Sequence, residues 1–205
     1  MVNGTGGNNN VINISKGAKI NLTKEAPGLT KIMFGLGWRI NDRYDGGDDY
    51  DLDASVFLCD KNGRSRPEWF IFYNNLNGPN NCVVHQGDNR VGGDGANDDE
   101  QIYVDLNLVP EEVDKIAIVV TIDQAERKRQ NFGAVESAYC RLVDDTNGKE
   151  VVHYDLGEDF SVETAIVVGE VYRNNGDWKF NAIARGFKNG LIGLCNNYHL
   201  SAEYR

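Results

Sequence analysis

The sequence predicts an all-β-dominated protein: a β-sandwich of two mainly antiparallel sheets with a few short helices. Three observations carry this. Runs of alternating apolar and polar residues recur along most of the chain, the period expected of half-buried strands. Gly/Asn turn signals separate many of them. Helical periodicity is scarce.

The elements follow in order. Residues 1–10, "MVNGTGGNNN", read as a disordered lead-in or tag remnant, and residues 11–200 as one domain. "INISK" (12–16) and "INLTK" (20–24) each alternate, and the "GA" between them predicts a hairpin. Strands are expected at 31–38, 51–60, 68–75, 101–106 and 115–123, then at 137–145, 150–156, 164–173 and 178–187. "NNGD" joins the last two as a tight hairpin, because Asn and Gly accept positive φ. "KNG" (61–63) and "DTNGK" (145–149) are further turns. "VPEEVDK" (109–115) predicts one helical turn with Pro110 near its start. "DQAERKRQN" (123–131) predicts a short helix capped by Asp123, with basic residues toward its end.

Composition narrows the function. The chain has 205 residues, 40% hydrophobic and 25% charged, enough to build a core without disulfide or metal staples. Its formal net charge of −10 opposes nucleic acid or an anionic membrane as an electrostatic partner. Cys59, Cys82, Cys140 and Cys195 show neither C-x-x-C nor zinc spacing and read as buried thiols in a reducing compartment. No signal peptide or membrane-spanning run is legible, which predicts a soluble cytoplasmic protein.

Two acidic stretches demand a reason. "GDNRVGGDGANDDE" (87–100) gathers Asp88, Asp94, Asp98, Asp99 and Glu100 around glycines, with Arg90 as its one basic residue. "GGDDYDLDAS" (46–55) sets Asp49, Asp51 and Asp53 two residues apart, hence on one face of a strand. Like charges on one face destabilise a sheet unless a cation lies among them. Oxygen donors with almost no His or Cys favour Ca²⁺, which takes six to eight oxygens at about 2.3–2.6 Å. Mg²⁺ keeps more of its water and suits the pattern less. An EF-hand is excluded, since Ala54 stands where its glycine belongs and the flanks are strand-like. "GGDGAN" matches a β-helix calcium turn only in part. The competing reading is a solvated charge run. His85 reads as a strand-end residue hydrogen-bonded to the loop rather than as a ligand.

The chain resembles the TerD family of tellurite-resistance and stress proteins. "ISKGAKINLTKEAPGL", "GLGW", "DLDASVFL", "FYNNL", "HQGDN", "VTIDQAERKRQNFGAV", "SVETAIVVGEVYR" and "WKFNAI" occur in register from about residue 12 to residue 198. The resemblance implies a β-sandwich binding two calcium ions through acidic loops, with no enzymatic activity. It also implies a place in a cytoplasmic stress-resistance system, with other proteins of that system as partners and contact with the inner membrane through one of them. Carried over by position, the implied ligands are Asp51, Asp53, Asn74, Asn75, Asp88, Asn89, Asp98, Asp99 and Glu100, with Glu163 as a weaker match. The chain departs from the family at Val91 and in "GGDGAN", so Asp94 and Asn97 are not carried over and one site is in question.

Three functions are compatible with this pattern. A calcium-binding, non-catalytic module with a calcium-organised docking surface leads. A metal-assisted enzyme acting on a phosphate-containing substrate has no P-loop, G-x-S-x-G or readable Cys/His pair behind it. Binding of a small molecule such as a cyclic nucleotide is suggested by relatives alone. Tellurium chemistry at the scattered cysteines is disfavoured. The basic "QAERKRQNFG" (124–133) reads as a solvated helix end, and Trp38, Trp69 and Trp178 as core.

Overall fold

A computed structural model describes residues 11–40, 50–87, 98–156 and 160–201. The first half holds β1 (Ile12–Ile14), β2 (Lys19–Asn21), α1 (Leu22–Glu25), β3 (Lys31–Ile40), β4 (Leu52–Cys59), β5 (Phe70–Ile71) and β6 (Val83–His85). The second holds β7 (Glu100–Asp105), β8 (Lys115–Ile122), α2 (Ala125–Lys128), β9 (Val135–Asp144), β10 (Lys149–Asp155), β11 (Ala165–Asn174), β12 (Asp177–Phe187) and α3 (Gly190–Asn197). They build two six-stranded sheets, ordered β1-β10-β9-β3-β7-β6 and β2-β12-β11-β8-β4-β5. Among the described residues every strand pairing is antiparallel except β1 with β10.

The alternation of apolar residues fixes which face looks inward. Ile32, Phe34, Leu36 and Trp38 of β3 meet Leu52, Ala54, Val56 and Leu58 of β4 and the isoleucines of β8 in the core. A second, smaller core lies on the outer face of the second sheet, where Leu194 and Cys195 of α3 and Tyr198 just after it cover Phe57, Ala117, Val119 and Val167. Phe57 stacks between Phe70 at 4.4 Å and Tyr198 at 4.6 Å. Covered on both faces, β4 and β8 are apolar at nearly every position.

Several expectations need correction. β1 and β2 form no hairpin with each other. β1 joins the first sheet beside β10 and β2 the second beside β12, so Ile14 and Ile20 close the core from opposite layers. Asn21 then caps α1 through Lys24 N–H, turning the end of "INLTK" helical. The expected strand at 68–75 is a 3₁₀ turn (Pro67–Trp69), the two residues of β5, and a tight turn closed by Phe72 and Asn75. Trp69 is therefore core, but in a turn. Residues 109–115 hold one turn, closed by Val113 N–H to Pro110 O at 3.0 Å, but no helix: Val109 and Val113 are buried, and their carbonyls accept from the Arg173 guanidinium at 3.1 and 3.0 Å. Arg173 also lies over the Trp178 ring, which is only partly buried. The helix expected over 123–131 shrinks to α2, and its cap is Gln124 in the left-handed region, not Asp123. α3 has no counterpart in the sequence reading, and β6 is anticipated only at its end, His85. The 175–176 hairpin is as expected, with φ of 54° at Asn175 and 84° at Gly176. No helix of the described residues is long and apolar enough to cross a membrane.

Candidate functional site

The acidic end of β4 is built around Ala54. Along residues 52–55, β4 pairs with β8 on one side, while its pairing with β5 on the other begins only at Val56. The backbone groups of Ala54 point to that unpaired side. Two side chains replace the missing strand. Glu100 Oε2 accepts Ala54 N–H at 2.6 Å, and His85 Nε2 donates to Ala54 O at 2.9 Å. Gly87 N–H donates to His85 Nδ1 at 3.0 Å, which fixes the proton on Nε2. Both side chains are buried, and Glu100 Oε2 lies 3.8 Å from His85 Nε2. His85 is thus the strand-end, loop-bonded residue its position predicted.

The remaining acidic residues divide between the faces of the sandwich. Asp53 shares the outer side of the second sheet with Ser55 and Thr121. Asp51 precedes it by two residues, and its carbonyl accepts Asp123 N–H at 2.8 Å. Asp98 lies on the outer side of the first sheet, over Gly35, where no Cβ would fit. There Arg141 donates to both its oxygens, Nε and Nη2 each at 2.7 Å, and Tyr139 and Gln101 complete the set at 3.1 Å. Burial, reinforced by the Asp98 charge, pushes the Tyr139 phenol up to about 12. The hydrogen bond to Asp98 holds the Arg141 guanidinium above its usual range. A cation at Asp98 would have to displace this guanidinium. Asp99 Oδ2 accepts Trp38 N–H at 2.9 Å, and Asp99 N–H donates to Leu36 O at 2.7 Å.

The other expected ligands are placed less centrally. Asn75 Nδ2 donates to Phe70 O at 2.7 Å, and Asn74 is exposed in the turn before it. Glu163 is laid over Gly186 and accepts Val162 N–H at 3.2 Å. Asp88 and Asn89 lie outside the described residues. Among the described residues no three His, Cys, Asp or Glu side chains gather in an arrangement that could hold a metal ion. What the structure brings together is the acidic β4 entrance and both anchors of the 88–97 segment, joined at Ala54.

Asp53 also borders a cleft of ≈ 970 Å³ on the outer face of the second sheet, between the Phe72–Tyr73 turn, the 123–127 segment and the start of α3. Sequence reasoning missed Ser55, Thr121, Thr164 and Lys188, which line it together with the polar residues of the 123–127 segment and Asn189. A signal was present: "TID" (121–123) repeats the two-residue polar spacing of Asp51 and Asp53. All four cysteines are free and buried. Desolvation pushes the thiols of Cys59 and Cys140 up to about 12, Cys82 up to about 11, and Cys195 above its ordinary value.

Residues 11–198 match the TerD domain. The chain is 54% identical over 190 residues to "Uncharacterized protein YceE" of Bacillus subtilis (strain 168), covering 92% of this chain and 98% of that protein. It is 52% identical over 190 residues to "General stress protein 16U" of the same organism, at 92% and 97% coverage. It is 48% identical over 193 residues to "Tellurium resistance protein TerD" of Serratia marcescens, at 94% and 99% coverage. The fold is shared with the crystal structure of a homologue of telluride resistance protein (TerD) from Streptomyces coelicolor A3(2). That match has a TM-score of 0.63 and 20% identity, and covers 81% of this chain and 96% of that one. The two-sheet sandwich, the match over nearly its whole length and these relatives together place the chain in the TerD domain family, among tellurium- and stress-resistance proteins.

Proposed function

We infer that this chain is a calcium-binding, non-catalytic module of a bacterial stress-resistance system. The observation that carries the reading is the junction at Ala54. Glu100 and His85 fasten the two anchors of the 88–97 segment directly to the strand bearing Asp53. Asp53 and the two ends of the segment that carries Asp88 and Asn89 are thereby tethered to one strand, an arrangement that suits a hard, oxygen-seeking cation.

The donors fit calcium unevenly. Asp51, Asp53, Asp99 and Asn74, with Asp88 and Asn89 from the segment, are oxygen donors suited to it. Asp98 has Arg141 as its counter-ion, and Glu100 holds Ala54, so both act as organisers of the site rather than as ligands. Bound calcium would supply positive charge between these carboxylates and set the shape of the surface they form. That surface serves to dock other proteins of the stress system, in the cytoplasm or at the inner membrane through a partner. A net charge of −10 argues against nucleic acid.

A catalytic reading has less support. His85, the nearest base, is buried with both ring nitrogens engaged. The raised thiol pKa values leave little thiolate for direct tellurium chemistry. The test is calcium titration followed by calorimetry and thermal unfolding. Saturable binding with a raised midpoint is expected. An unchanged midpoint at millimolar calcium, with no heat of binding, overturns the reading.

A further inference from the structure

We propose that the cleft on the outer face of the second sheet binds a small polyhydroxylated ligand carrying one oxyanion, a sugar phosphate or a sugar acid. The proposal does not rest on calcium binding. It begins with two hydroxyls. Ser55 is 3% exposed and Thr121 6% exposed, both line the cleft, and neither side chain hydrogen-bonds to any described residue. The residues are buried but their hydroxyl oxygens are not sealed off: they open on the cleft, where a ligand can reach them. The two lie on adjacent strands, in the register that pairs Asp53 with Thr121 and Ser55 with Val119. They form one polar floor beside the Asp53 carboxylate.

The chemistry of that floor selects its occupant. A carboxylate accepts only, whereas Ser and Thr hydroxyls both donate and accept. A ligand hydroxyl does both and satisfies either kind of neighbour. Phe72 and Tyr73 offer aromatic faces at one wall, suited to the C–H face of a sugar ring.

The oxyanion is placed by the opposite wall. α3 begins there at Gly190, and Gly190 N–H donates to Thr164 Oγ1 at 3.0 Å. Asn189, in the cap position, makes no side-chain capping bond. Leu191 and Ile192, whose amides come next in the first turn at the positive end of the helix, line the cleft. Lys188, exposed beside them, adds a cation. The rim carries Asp123 and Glu126 but also Arg127, and Lys128 Nζ stands 3.4 Å from the Asp123 carboxylate, so an anion does not meet uniform repulsion there. The volume lies within the range of small-ligand sites, roughly 300–1,000 Å³.

Isothermal titration of the full chain with glucose 6-phosphate, ribose 5-phosphate and gluconate tests this, in excess chelator and again with calcium. Saturable binding of at least one of them in chelator is expected, and the phosphate and carboxylate arms identify which oxyanion is preferred. Ser55→Ala and Thr121→Val should each weaken that binding about tenfold while thermal unfolding shows both variants folded. Lys188→Gln should weaken it by a smaller factor, and inorganic phosphate should compete. Binding of none of the three, binding only when calcium is present, or full affinity in both hydroxyl variants would each overturn the proposal. The last result would mean that surface charge alone holds the anion.

Discussion

Glu100 Oε2 lies 2.6 Å from the backbone nitrogen of Ala54, across the core from one sheet to the other. The carboxylate does the work of a strand that is not there. The Ala54 amide dipole faces this buried acid, and the His85 ring lies 3.8 Å from it.

Removing it should be costly. Glu100→Ala strands Ala54 N–H and leaves a hole, so a loss of about 2–4 kcal/mol is expected. Glu100→Gln keeps an acceptor and should lose only about 1 kcal/mol. Urea unfolding of the three proteins checks the order, and equal losses would show that the hydrogen bond contributes little.

The Asp98–Arg141 pair predicts a second asymmetry. The Asp98 side chain is fully buried, while Arg141 is 32% exposed. Arg141→Met leaves a buried charge unpaired and should cost about 2–4 kcal/mol, somewhat less than a fully buried pair because of that exposure. Adding Asp98→Asn should restore part of the loss. Gly35→Ala should act in the same direction by driving Asp98 off the sheet. A double-mutant cycle in denaturant measures the coupling.

Calcium should separate two aspartates that look alike in sequence. Asp53→Asn should remove most of the calcium-dependent rise in unfolding midpoint. Asp98→Asn should lower the midpoint with and without calcium and leave the increment intact. At calcium a hundredfold above its Kd the increment corresponds to about 2.7 kcal/mol. Equal loss of the increment in both variants would reassign Asp98 as a ligand.

The thiols give a pH prediction. Burial raises the pKa of Cys59, Cys82 and Cys140 in the folded state. The folded state therefore favours the protonated thiol, and this contribution is complete below the ordinary value of 9.0. It is lost as pH climbs from there through the folded values of about 11 and about 12. Stability should fall across that window, and less steeply in Cys59→Ala relative to its own neutral-pH value. Thiol reagents at pH 8 should label none of the four cysteines before unfolding.

The local pattern was legible because it is local. Two-residue alternation marked most of the long strands, and Asn-Gly chemistry fixed the 175–176 hairpin, since neighbouring residues alone decide both. The acidic stretches also announced themselves, and the match of motifs in register led to the family. Other features belonged to the tertiary structure. Alternation tells a strand which face is apolar but not which sheet it joins, so β1 and β2 parted. Val109 and Val113 mimicked a helical face until Arg173, far along the chain, took their carbonyls. Charge density in sequence does not reveal counter-ions either: Arg141, 43 residues beyond Asp98, becomes its neighbour only because β9 runs beside β3.

Read alone, the chain yields most of the long strands, the 175–176 turn, the family and a supply of oxygen donors. The tertiary structure decided which donors are already engaged, because hydrogen-bond and ion-pair partners are set by sheet register rather than by proximity along the chain.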